Sequence, residues 1–151
     1  MFVSYSISVF GFQFEPNEVL HKLKTSLVVE DMSSNHLSPR GMYVEMNFLG
    51  LIHKNKFSKE YYDEKYEQEF VDFFKNNYEL LKEYGAEEFV LMMDIFYCDQ
   101  CNFEIFDKGK LKELAKGDVS LPISVYYLEP DDYYSDLYYQ LNPDLKYGER
   151  L

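Results

Sequence analysis

Cys98-Asp99-Gln100-Cys101 is the spacing in this chain that could do thiol chemistry. A C-x-x-C pair can lower the pKa of its first thiol for disulfide exchange, or supply half of a structural zinc site. Zinc would need two further ligands, and His21, His36 and His53 fall in three separate expected elements. Redox pairs favour a helix N-terminus after a strand, whereas this pair lies between Tyr97 and Phe103 as a β-turn would. The expectation is a reduced turn pair with no metal and no catalytic duty. Asp94 interrupts the apolar run FVLMMDIFY and, if buried, would be a candidate general acid. No base or nucleophile stands at a recognisable spacing from it, so it reads as a residue of the opposite sheet face or the rim. His36, in SSNHLSPRG beside Ser34, Ser38 and Arg40, reads as an exposed loop residue. The sequence has no phosphate-binding glycine loop, nucleophile elbow or H-E-x-x-H. Asp131–Asp136 lacks the glycine and terminal glutamate of a calcium loop. No catalytic residue, metal or cofactor is expected, and the chain reads as a non-enzyme.

Charge and tyrosine carry more information. The chain of 151 residues has a net charge of −12 and is 19% aromatic, with 15 Tyr and no Trp. Residues 1–58 hold five acids and five bases, so the negative field belongs to the rest. The segment EPDDYYSDLYYQLNPDLKYGERL, from Glu129 onward, has six acids against two bases and five tyrosines. Acid repels nucleic acid and anionic membrane and attracts basic protein surfaces. Tyrosine is favoured at the buried centres of protein interfaces. The expected contact residues are therefore Asp131, Asp132, Tyr133, Tyr134, Asp136, Tyr138 and Tyr139. The helix start Glu60, Asp63, Glu64 and Glu67 is the second candidate. The competing expectation is that the tail packs its tyrosines on its own domain, since large aromatics are commonly core.

The elements that must position these residues follow from periodicity. Val3, Tyr5, Ile7 and Val9 alternate with serines, which is a strand with one polar face. Pro16 opens a helix containing Val19, Leu20 and Leu23. Strands are expected at Ser26–Glu30 and Met42–Leu49, with a loop over Ser33–Gly41. Ser58 can cap a helix over Lys59–Tyr84, where Tyr66, Phe70, Phe73, Phe74, Tyr78 and Leu81 recur at spacings of three and four, and Gly85 can close it. Its acids, Asp72 among them, are expected to form a solvated face. Phe89–Tyr97 should be a central strand, Asn102–Phe106 a short one and Leu121–Leu128 the last. Asp107 can cap a helix that stops at Gly117. The order β-α-(β)-β-α-β-β-α-β implies an α+β fold, with two to three helices on a largely antiparallel sheet. Residues 1–129 form one domain in this reading, and 130–151 an acidic extension packed on it, with a short helix near Tyr133–Leu141. The N-terminus alternates as a strand and lacks a basic leader, and no apolar run approaches the ~20 residues that span a bilayer, so the expected location is cytoplasmic.

The opening SYSISVFG strand, the FEPNEVLHKL helix start and the late FEIFDKGKLKELAKGDVSLPISVYYLE unit together resemble the bacterial domain-of-unknown-function family 4279. The resemblance spans about two-thirds of the chain by pattern, and implies an α+β sheet domain with no catalytic residues to carry over. Small acidic proteins of this kind also resemble the immunity partners of polymorphic toxins, including contact-dependent growth inhibition systems. That resemblance implies a bacterial, cytoplasmic immunity protein that holds a basic toxin domain, a nuclease first of all, one-to-one, without touching nucleic acid or membrane itself. The alternatives are an acidic adaptor or nucleic-acid mimic for another basic protein, and, more remotely, a small hydrolase or redox protein using Asp94 or the cysteines.

Overall fold

The computed structural model describes residues 1–58, 64–99 and 104–133. The chain is α+β. Five strands form one sheet: β1 (Phe2–Gly11), β2 (Val28–Ser33), β3 (Asn47–Ile52), β4 (Glu88–Tyr97) and β5 (Ile123–Tyr127), in the order β2-β3-β1-β4-β5. Every neighbouring pair is antiparallel except β4–β5. The helices are α1 (Pro16–Val19), α2 (Glu64–Glu83), α3 (Lys108–Lys116) and the single turn α4 (Pro130–Asp132). Among the described residues no helix is long and apolar enough to cross a membrane.

Strand alternation decides which face the helices cover. Val3, Tyr5, Ile7 and Val9 of β1 are buried with Phe89, Leu91, Met93 and Ile95 of β4, while Ser4, Ser6, Ser8 and Asp94 lie half-buried on the other face. On the buried face α2 supplies Tyr66, Phe70, Phe73, Phe74 and Leu81, and α3 supplies Leu114. Tyr5 is an aromatic hub, 5.2 Å edge-on from Phe70 and 5.4 Å from both Tyr66 and Phe106. The apolar run Phe89–Tyr97, broken only by Asp94, is thus an interior strand, between β1 and β5.

Gly85 closes α2 as expected. Its φ of +89° is left-handed, and Ala86 and Gly85 donate their N–H groups to the carbonyls of Leu81 and Lys82, both at 3.0 Å. This is the paired closure that satisfies the last helical carbonyls. The same glycine abuts the turn that follows β1: a Cβ on Gly85 would stand 2.7 Å from the Gln13 carbonyl oxygen. Gly85→Ala should therefore cost at least the ~1–2 kcal/mol of a left-handed L-residue. A urea titration showing unchanged stability would contradict that closure.

Several elements depart from their expected bounds, the second and third strands and the short strand before α3 among them. The second strand runs Val28–Ser33 rather than Ser26–Glu30, and the third Asn47–Ile52 rather than Met42–Leu49. Residues 42–46 are instead held in the loop. Val44 donates to the His36 carbonyl at 2.9 Å, the Asn47 side chain accepts from His36 N–H at 2.8 Å, and it donates to Glu15 at 3.0 Å. His36 is accordingly half-buried, its Nδ1 3.2 Å from the carbonyls of both Val44 and Glu45, rather than an exposed loop residue. The expected strand Asn102–Phe106 falls partly outside the described residues. Its described part, Glu104–Phe106, is irregular, and Phe106 is left-handed at φ +57°.

Candidate functional site

Two places collect polar chemistry. The first is interior. Glu67 and Lys110 are 3% and 5% exposed, and their side chains meet at 2.8 Å. The other Glu67 oxygen accepts from Phe106 N–H at 3.0 Å and from the Tyr5 hydroxyl at 3.4 Å. A carboxylate and an ammonium taken out of water need such paired, hydrogen-bonded geometry. The result ties α2 to the turn that launches α3. Asp107 then caps α3 as expected, accepting from Gly109 and Lys110 N–H at 2.7 and 3.0 Å.

The Lys110 and Gly109 backbone N–H groups hold the Asp107 carboxyl below its ordinary value of 3.8. A depressed folded-state pKa adds stability above the unfolded value, and that stability is lost as pH falls through the folded one. Asp107→Asn retains a capping oxygen but cannot titrate. Its melting temperature should therefore fall less than that of the parent when the pH drops below 3.8. Parallel acid slopes would contradict the capping assignment.

The solvated acidic face expected of α2 needs correction. Glu67 is interior, and Glu69 and Asp72 are half-buried. Glu69 accepts from the Ser26 hydroxyl and lies 3.2 Å from Nε2 of the buried His53. The exposed residues described on α2 mix Lys65, Lys75 and Lys82 with Glu79 and Glu83. Glu64 is the first described residue of α2, and Glu60 and Asp63 lie outside the described residues.

The second place is the outer end of β5. This edge strand, ISVYY, leaves Ile123, Val125 and Tyr127 51%, 52% and 54% exposed. The backbone of Ser120 bonds to Phe89 and Leu91, Pro122 accepts from Met93, and Leu128 donates to Tyr97. These even-numbered residues face β4. By the alternation of a ladder, the N–H and C=O groups of Ile123, Val125 and Tyr127 point away from the sheet. Tyr126 projects its ring to the other face, where it stacks on Phe96 with centroids 5.0 Å apart. Acids gather where the strand ends. Asp99, Glu129, Asp131 and Asp132 are exposed, and none has an ion-pair partner among the described residues. The Glu129 charge, followed by burial and the neighbouring Cys98, Tyr97 and Asp99, raises the Tyr127 hydroxyl above its usual pKa of 10.0.

Of the expected tail contacts, Asp131 and Asp132 are on the surface as part of α4. Tyr133 is not: it is buried, 5.1 Å from the Phe2 ring, and its hydroxyl accepts from the Met1 nitrogen. Packing against β1 leaves it little surface to offer a partner, the outcome of the competing expectation at this one position. Tyr134, Asp136, Tyr138 and Tyr139 lie outside the described residues. So does Cys101, while Cys98 is half-buried and in no disulfide among the described residues. Asp94 sits on the face away from the helices, in register with Ser4 and Ser124. No group of three or more metal-ligating side chains occurs among the described residues.

No family model, curated protein or solved structure matches this chain.

Proposed function

We propose that this chain is a non-enzymatic, cytoplasmic binding protein that holds a basic protein domain one-to-one. The specific reading is an immunity protein that neutralises a basic toxin domain, a nuclease first among the candidates. The observation that carries it is the group Asp99, Glu129, Asp131 and Asp132, exposed and without cationic partners among the described residues, in a chain of net charge −12. A nuclease surface must be positive to accept phosphates, so an acidic protein can be steered onto it and block it by occupancy. The resemblance to small acidic immunity proteins points the same way. The test is co-expression with basic nuclease-toxin domains. The reading expects a stoichiometric complex and rescue of growth. Recovery of the two proteins separately, with growth still arrested, would sink it.

A further inference from the structure

The two edges of the sheet are not alike. Edge strand β2 carries Glu30 and Asp31 and shifts register between Val29 and Asp31. Charge and irregularity of this kind block strand addition. Edge strand β5 carries no charge between Ile123 and Tyr127 and keeps an unbroken register with β4. Its outward backbone groups belong to the three residues whose apolar side chains are half exposed. Such an edge offers main-chain hydrogen bonds and side-chain contact to the same incoming strand.

We infer that the β5 edge is a docking site for an extended segment of a partner protein, which adds as a sixth strand and carries lysine or arginine at its ends. Charge complementarity selects this occupant. The strand is flanked by Asp118 before it and by Glu129, Asp131 and Asp132 after it, all exposed. A second copy would bring the same acids together in a pair of chains each carrying −12. The inference rests on the reading that the natural partner is basic, and it names the surface and the binding mode.

Backbone hydrogen exchange tests it, with two synthetic probes. One is an extended peptide of alternating valine and threonine with lysines at both ends, and the other has glutamates in their place. In the free protein the Ile123, Val125 and Tyr127 amides should exchange fast and those of Ser124 and Tyr126 slowly. The lysine peptide should slow the first three by roughly tenfold or more, as newly paired amides become protected, and the glutamate peptide should leave them unchanged. Val125→Pro removes an N–H that faces away from β4, so it should abolish this protection while the melting temperature holds. Val125→Lys, which leaves the backbone intact, should also weaken binding of the lysine peptide.

Several results would overturn the proposal. Protection in the free protein at every concentration would mean that this chain covers its own edge. Protection that grows with protein concentration, with a dimer in sedimentation, would assign the edge to a second copy. Equal binding of both peptides would overturn the charge preference and remove support for a basic partner. Lysine-peptide binding that survives in a folded Val125→Pro or Val125→Lys would move the site off this edge and leave the basic-partner reading standing.

Discussion

Lys110→Met should destabilise the fold by about 3–5 kcal/mol, the usual cost of leaving one member of a buried ion pair uncompensated. Methionine nearly fills the space of the lysine stem, so the loss is electrostatic rather than steric. Glu67 would keep the Phe106 N–H and the Tyr5 hydroxyl but lose the ammonium at 2.8 Å. Adding Glu67→Gln removes the stranded charge while an amide oxygen can still accept from Phe106. The double variant Glu67→Gln/Lys110→Met should therefore be more stable than Lys110→Met alone. Chemical denaturation of the four proteins in this cycle isolates the coupling. Strict additivity would mean that the two charges do not act as a pair.

Neutralising the acids at the β5 end should slow association with the basic partner by about tenfold, because long-range charge sets the encounter rate more than the contact energy. The variant is Asp99→Asn/Glu129→Gln/Asp131→Asn/Asp132→Asn. All four residues are exposed and without ion-pair partners among the described residues, so the melting temperature should hold. Stopped-flow mixing separates the two rates, and dissociation should change little if these acids form a rim. Unchanged association in a folded variant would place the partner elsewhere on the surface.

The sheet was legible because its signals are local. Alternation in Val3–Val9 sorts buried from half-buried residues one by one, and the aromatics of α2 recur at the spacing that puts them on β1 and β4. Gly85, Asp107 and Gly117 mark helix ends that the structure confirms. The bounds of β2 and β3 were not legible, because side chains distant in sequence hold the intervening loop, Asn47 and Glu15 above all.

The charged residues are less legible, because residue type alone does not place them. Glu67 looks like a solvated helix acid when judged by residue type. Its position says otherwise: Phe70, Val71 and Phe74 follow at three, four and seven residues, so it stands in the middle of the apolar stripe. Lys110 stands likewise one turn before the buried Leu114. One acid and one base, each misplaced on the apolar face of a different helix, was the available signal for their pairing. The β5 edge, unpaired on its outer side among the described residues, had no comparable signal, since strand order in the sheet is set by tertiary pairing. An apolar ISVYY reads the same at an edge as in the interior.

The most direct measurement of the central claim is the association rate with the toxin domain that co-expression identifies, across salt from about 0.05 to about 0.5 M, where the screening length contracts below ~10 Å. The account predicts a steep fall in the association rate with a much smaller change in the dissociation rate. A tight complex whose association rate is flat over that range would contradict the claim that acidic charge on this chain recruits a basic partner.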